Sequence, residues 1–345
     1  MTAKHAPSNS SPPDAGKRQL LEIFDLTVDI RGDGAQHALV DKVSFSVYAN
    51  EMVALIGESG CGKTMTAMAV LGLLPRAAHI TNGTIRFGGT DLAHATASQL
   101  RHIRGAEIGT IFQDPMASLN PTMRVGRQVA EVRVTHLGES WATAQAQAIR
   151  LFDQVGIPHP EARVKSYPHE LSGGMQQRVM IAIAIACEPD LLIADEPTTA
   201  LDVTIQAEIL DLLDALQQKT GMGILLVTHD LGVVAEHADR TIVMYAGQIA
   251  ETSQTESVFG SPRHPYTRAL MDAVPQPGRA REMLDTIPGR VPVAGTFPPG
   301  CRFFERCEYS QHGLCDDPTL FKPVSPTTGL STSCVRADSI FVQGK

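Results

Sequence analysis

The sequence predicts an α/β fold with a parallel sheet covered by helices, and three observations carry that expectation. Short, wholly apolar runs recur at residues 53–56 (VALI), 191–194 (LLIA) and 224–227 (ILLV). Such runs mark strands buried on both faces. Helical stretches separate them, which is the alternation of an α/β domain. The chain has 345 residues, 43% of them hydrophobic, enough for a sizeable core in one large domain with an extension.

Residues 1–18 are rich in Ser, Pro and Ala and contain no apolar segment of a secretion signal. They are expected to be a disordered tail. Residues 20–30 begin with alternating apolar positions and read as an edge strand, followed by a turn at 31–36 (RGDGAQ). Val43, Phe45 and Val47 then alternate with polar residues, as in a half-buried strand. After the strand at 53–56, residues 65–74 read as a helix. From about 116 to 178 the strand pattern vanishes. Helices are expected at 125–137 and 141–155, with Pro158 and Pro160 breaking the chain after them. This stretch reads as a helical subdomain inserted in the α/β core. Ile205, Ile209, Leu212, Leu213 and Leu216 form a helical stripe, with Asp202 as N-cap and Gly221 as stop. Beyond residue 260, Pro262, Pro265, Pro275, Pro277, Pro288, Pro292, Pro298 and Pro299 crowd together, interrupted by one short helix at 266–273. The expected organisation is a tail (1–18), an α/β unit (19–260) and an extension (261–345) with little room for a core.

Net charge −8 and pI 5.8 supply no basic field for nucleic acid. The longest apolar run, residues 179–187, is nine residues and too short to span a membrane. The chain is therefore expected in the cytoplasm, reaching a membrane only through a partner.

Gly57-Glu58-Ser59-Gly60-Cys61-Gly62-Lys63-Thr64 follows a buried strand and opens a helix at Met65. This is the context of a phosphate-binding P-loop. Glycines let successive N–H groups turn inward around an anion, and the helix N-terminus adds partial positive charge. Lys63 suits the β- and γ-phosphates of a nucleotide, and Thr64 suits Mg²⁺. Cys61 reads as a small packing residue, or as an oxidisable thiol if exposed. The run at 191–194 ends in Asp195 and Glu196. Strand ends are where ligands sit in parallel sheets. Asp195 is then placed for Mg²⁺ and Glu196 for polarising the attacking water, given a P-loop on a neighbouring strand.

Leu171-Ser172-Gly173-Gly174-Met175-Gln176-Gln177-Arg178 resembles the signature of the ABC ATPases. Gln113 resembles their Q-loop, residues 199–202 (TALD) their D-loop, and His229 their switch histidine. The resemblance covers residues 20 to about 260. It implies an ABC nucleotide-binding domain that works as a head-to-tail pair around two ATP molecules. Gly57 to Met65 and Gln113 would bind nucleotide. Thr64, Gln113 and Asp195 would hold Mg²⁺, and Glu196 and His229 would be catalytic. Ser172, Gly173, Gly174 and Gln176 would serve the partner's ATP. One departure concerns adenine: the slot for a stacking aromatic falls on Ile30, which offers apolar contact only.

Residues 264–270 (HPYTRAL), 287–289 (IPG) and 112–115 (FQDP) resemble the oligopeptide and dipeptide importer ATPases. That resemblance implies a motor for peptide import, with nickel or glutathione as other cargoes of the same group. The implied partners are a second ATPase subunit (a paralogue, giving a heterodimer), two membrane permease subunits and, indirectly, an extracytoplasmic solute-binding protein. The implied place is the cytoplasmic face of the inner membrane. A soluble, non-transport ABC ATPase is the competing reading. Cys301, Cys307, Cys315 and Cys334 lack a close Cys pair of the zinc type. Their spacing resembles that of group members carrying a [4Fe–4S] cluster, with zinc or free thiols as alternatives.

Overall fold

The structure is a computed structural model and describes residues 16–32, 35–199, 202–273, 287–325 and 331–341. Residues 1–15 of the expected 1–18 tail, Pro275 and Pro277 lie outside them, as does part of the turn at 31–36.

Two sheets carry the fold. The first has the order β2–β1–β4–β5, from β1 (Gln19–Gly32), β2 (Ala35–Tyr48), β4 (Ala78–Phe87) and β5 (Thr90–Asp91), and is antiparallel. The expected edge strand at residues 20–30 is corrected here, because β1 runs between β2 and β4. The β4 sequence, AHITNGTIRF, hides its strand character behind polar residues and Asn82-Gly83. Gly83 has φ +92°, and a Cβ there would meet the Asp25 carbonyl oxygen at 2.5 Å. Only glycine lets β4 close against the irregular middle of β1.

The second sheet has the order β10–β9–β3–β8–β7–β6. Strands β3 (Met52–Ile56), β6 (Ile108–Ile111), β7 (Leu191–Asp195), β8 (Gly223–Val227) and β9 (Arg240–Tyr245) are parallel, and β10 (Gln248–Gln254) closes the edge antiparallel to β9. Alternation sorts the apolar runs onto two faces. Leu191, Ile193, Leu225 and Val227 pack toward the antiparallel sheet and α1 (Lys63–Leu71). Leu192, Ala194, Ile224 and Leu226 pack toward helices that lie mostly between β6 and β7. These are α3 (Pro115–Ser118), α4 (Val125–Leu137), α5 (Trp141–Gln154), α6 (Pro160–Arg163) and α7 (Gly173–Ala184), with α8 (Val203–Thr220) after β7, whereas α2 (Ala97–Ala106), before β6, buries Ile103 on the antiparallel-sheet side. Phe152, Val129 and Val179 join these helices to the sheet in one cluster. The helix expected at 141–155 and the stripe from Ile205 to Leu216 appear as α5 and α8. Asp202 caps α8 by accepting the Ile205 N–H at 3.0 Å.

A buried ion pair ties the sheet together. Arg240 Nε and Nη2 donate to the Glu51 carboxylate at 2.9 and 3.0 Å, and Glu51 also accepts the Tyr48 N–H at 3.0 Å. The side chains are 13% and 6% exposed. Arg240→Met strands that carboxylate and is expected to cost about 3–5 kcal/mol, read as a lowered unfolding midpoint in denaturant.

After α9 (Leu231–His237) and α10 (Thr255–Gly260), the helix α11 (Pro265–Asp272) begins the extension, and α12 (Ala337–Phe341) ends it. Residues 287–325 are mostly irregular. They do not build a separate core; they borrow one. Tyr266 and Phe303 pack against Tyr245 and the β3 and β9 residues Ile56 and Val243. Ring centroids lie 4.6 Å apart for Tyr245–Tyr266 and 5.2 Å for Tyr245–Phe303. The Ser333 N–H donates to the Ala250 carbonyl at 2.9 Å, so the tail also covers the edge strand β10.

Candidate functional site

Strands β3, β7 and β8 are parallel, so their carboxyl ends open on one side and bring three loops together. β8 lies between β3 and β7, so the acid pair is two strands from the P-loop rather than one. At roughly 4.8 Å per strand this leaves about 10 Å between the strands, room for a phosphate and its cation. His229 follows the intervening strand and enters the gap from its middle.

The P-loop is fixed from behind. Gly57 has φ +148°, and a Cβ there would meet the Met244 carbonyl oxygen at 2.2 Å. Gly62, with φ +104°, opens α1 without any side-chain cap, leaving the helix N-terminus to an anion. Ser59, Gly60 and Thr64 face solvent, Glu58 and Met65 are half-buried, and Cys61 and Lys63 are buried. Cys61 is 1% exposed, and burial pushes its thiol up, against the pull of Lys63. The geometry therefore favours the packing role for Cys61. The Lys63 ammonium donates to the carbonyls of Gly57 at 2.7 Å and Glu58 at 3.1 Å.

Across the gap, Thr64 Oγ1 donates to Asp195 Oδ1 at 3.3 Å. Burial pushes the Asp195 carboxyl up, with the Glu196 charge adding to it and the Thr64 hydrogen bond opposing. A buried acid so placed gains from a cation. Glu196 sits at φ 49°, in the left-handed region, a strained conformation for a glutamate. Its N–H donates to the Val227 carbonyl at 2.8 Å. Gln113 Nε2 and Thr199 Oγ1 donate to its Oε2, both at 2.9 Å, and His229 Nδ1 lies 3.2 Å from Oε1. Burial pushes this carboxyl up, but the Thr199 and His229 hydrogen bonds and the His229 and Lys63 charges outweigh it. The net position is below the usual glutamate range. Glu196 is thus held ionised and able to accept a proton. Thr199 emerges only from the structure; in sequence it lies in the D-loop stretch, of which Ala200 and Leu201 are outside the described residues.

Ser172 and Gly173 are exposed at the start of α7, and Ser172 Oγ accepts the Met175 N–H at 3.4 Å. Gly174 is buried, and a Cβ there would come within 3.0 Å of Ile205. Gln176 is turned inward instead. Its amide donates to the carbonyls of Pro168 at 2.9 Å and Leu171 at 3.2 Å, bracing the turn before α7. Ile30 is half-buried and pairs with His37 on β2 and Ala78 on β4.

The extension touches the P-loop directly. Tyr266 Oη accepts the Glu58 N–H at 2.9 Å, and Arg306 grips the Glu58 carboxylate at 3.0 and 3.2 Å. These residues lie 208 and 248 positions apart, and no local pattern announces the pairing. Nearby, Cys301, Cys307, Cys315 and Cys334 line one cavity with His264, Phe303 and Tyr309. Burial, with the charges of the neighbouring cysteines adding to it, pushes Cys301 up to about 12 and Cys307 up to about 11. Thiols gathered in this way ionise together only around a cation. Among the described residues, however, no three His, Cys, Asp or Glu side chains are drawn close enough to form a metal-ligand group.

A P-loop facing an acid pair and a histidine across a parallel sheet, with an exposed Ser-Gly helix start on inserted helices, defines an ATPase of the ABC class. The family model described as ABC transporter matches residues 40–199. That described as oligopeptide/dipeptide transporter, C-terminal region, matches 250–315. The chain is 48% identical over 291 residues to the dipeptide transport ATP-binding protein DppD of Escherichia coli K12, covering 84% of this chain and 89% of that one. It is 47% identical over 299 residues to the Bacillus subtilis DppD, covering 86% and 89%. Among solved structures, a dimeric bacterial ABC transporter cassette superposes with TM-score 0.62 at 25% identity, covering 68% of this chain and 99% of that one. The chain belongs to the ABC transporter ATPases, in their oligopeptide/dipeptide group.

Proposed function

We infer that the chain is the ATP-hydrolysing subunit of a membrane importer for di- and oligopeptides. The observation that carries this reading is Glu196, held ionised among Gln113, Thr199 and His229, facing a P-loop to which a peptide-transporter extension is bound. The match of residues 250–315 and the relatives' names favour peptides over nickel or glutathione, and transport over a soluble role.

In this reading the Lys63 ammonium leaves its two carbonyls and takes the β- and γ-phosphates, while residues 58–65 wrap the anion. Thr64, Asp195 and Gln113 hold Mg²⁺, which neutralises developing phosphate charge when bound. Glu196 accepts a proton from the attacking water, and His229 steadies the γ-phosphate. Ser172, Gly173 and Gly174 face the ATP of a second ABC subunit, a paralogue, in a head-to-tail pair. ATP closes the pair and hydrolysis reopens it. The ends of the work are two permease subunits fed by a solute-binding protein. Among the described residues no helix is long and apolar enough to cross a membrane. Attachment to the cytoplasmic face of the inner membrane therefore runs through the permease.

Residues 19–260 form the nucleotide unit, with helices inserted at about 116–178, and 261–345 the extension. In the extension, Cys301, Cys307, Cys315 and Cys334 would hold a [4Fe–4S] cluster. The chemistry of the donors supports this, being four soft sulfurs on one cavity, and the sulfurs would have to draw closer together around it. Such a cluster would staple an extension that borrows its core from β3 and β9.

One preparation tests both parts. The chain, tagged and extracted from membranes without oxygen, is expected to bring hydrophobic permease subunits with it and to carry about four irons. Recovery without any permease contradicts the importer reading. Zinc in place of iron, or neither metal, contradicts the cluster.

A further inference from the structure

Two lines of contact run from the four-cysteine cavity to the phosphate cradle, and they meet on Glu58. The first passes through the turn Phe304–Arg306. The Phe304 N–H donates to the Cys301 carbonyl at 3.0 Å, and the Cys307 N–H to the Phe304 carbonyl at 3.4 Å, so the turn is strung between two cavity cysteines. Arg306 leaves it to grip Glu58 through both carboxylate oxygens and to donate to Tyr245 Oη at 3.2 Å. The Arg306 side chain is 6% exposed. The Glu58 side chain is 29% exposed, so the pair is half-buried, and its two-point geometry fixes the relative orientation of the two groups.

The second line starts at His264, which lines the cavity and is 2% exposed. Its Nδ1 accepts the Tyr266 N–H at 3.1 Å, capping α11. Tyr266, itself fully buried, accepts the Glu58 N–H through its hydroxyl. That leaves the Glu58 carbonyl, which accepts from the Lys63 ammonium at 3.1 Å and from the Cys61 N–H at 3.3 Å. Glu58 therefore has its carboxylate and amide in the extension and its carbonyl on Lys63 and Cys61 of the P-loop. A phosphate that draws Lys63 competes with that carbonyl for its hydrogens. The side chain and amide of Glu58 are then held in place by Arg306 and Tyr266.

We propose that Arg306 and Tyr266 are positioning residues through which the four-cysteine cavity and the ATP site are coupled, Glu58 being the shared node. Coupling is reciprocal: the extension raises affinity for ATP, and ATP orders the turn between Cys301 and Cys307. Any change in what the four sulfurs hold then changes ATP affinity, and no residue of the cavity needs to touch nucleotide. The inference rests on the reading of residues 57–64 as the ATP cradle.

The test uses a fluorescent ATP analogue and amide exchange on the purified full-length chain. Arg306→Gln is expected to weaken binding about tenfold, within the range of roughly 5–150-fold typical of linked sites. Turnover of the assembled importer at saturating ATP should stay within about twofold, a loss in KM and not in kcat. Arg306→Lys should recover part of the affinity. The double variant Arg306→Gln/Glu58→Gln should bind no worse than the weaker single variant, because both remove one contact. MgATP should slow amide exchange across residues 301–307 in the wild-type chain and fail to do so in Arg306→Gln. Unchanged affinity in Arg306→Gln, or fully additive losses in the double variant, overturns the proposal. If Arg306→Gln does not fold, Arg306→Lys and wild-type exchange decide it, and exchange over 301–307 that ignores MgATP overturns it. Lys63→Ala separates the two readings: if that variant binds the analogue normally, the cradle assignment fails and not the coupling.

Discussion

Glu196→Gln is expected to cut ATP turnover by roughly 10²–10⁴-fold while leaving MgATP binding in place. The geometry separates the two effects. Glu196 receives Gln113 and Thr199 on one oxygen and His229 on the other. A glutamine can keep its oxygen toward Gln113 and Thr199 and turn its amide toward the His229 ring. The loop then stays folded at its positive φ, and the phosphate side is untouched. What disappears is a carboxylate held below its usual range and therefore free to take a proton at neutral pH. Phosphate release measured beside nucleotide binding resolves the two. Lost binding would mean that Glu196 builds the site and does not act in the chemistry.

Lys63→Ala is expected to do the reverse and remove binding first. The ammonium makes two hydrogen bonds to backbone carbonyls, and hydrogens of this kind are what a triphosphate would take. Hydrogen bonds to charged groups contribute about 1.5–3 kcal/mol each. A loss of about 3 kcal/mol corresponds to roughly 10²-fold weaker ATP binding. Titration calorimetry with MgATP checks this. Arginine is a poor substitute, because the side chain is 6% exposed and a planar guanidinium differs in shape and donor geometry from a compact ammonium. Retained micromolar binding in Lys63→Ala would place the phosphates elsewhere.

The parts of the fold that local pattern determines were legible. The apolar strand at 53–56, the helix at 125–137 and the cap at Asp202 follow from periodicity and from side chains that act within a few residues. Sheet order was not legible. Nothing in residues 191–196 says that β8 lies between them and the P-loop, because strand neighbours are chosen by tertiary packing. β4 was missed for a different reason: its polar face and Asn82-Gly83 suppress the alternation that marks a strand. At the site, Lys63, Thr64, Asp195 and Glu196 were readable from motif context. The inward turn of Gln176 and the hold of Arg306 and Tyr266 on Glu58 were not. These depend on which side chains meet across long stretches of chain, and burial alone decides that. The four cysteines were visible as a cluster, yet only the folded chain shows that they share a cavity with His264.

Coupling of hydrolysis at Glu196 to transport is the central claim, and uptake measures it most directly. The assembled importer would be placed in vesicles with MgATP on the side of this chain and a labelled dipeptide with its binding protein on the other. The wild-type complex is expected to accumulate dipeptide, and the complex carrying Glu196→Gln to accumulate none above an ATP-free control. Equal uptake by the two complexes would contradict the account.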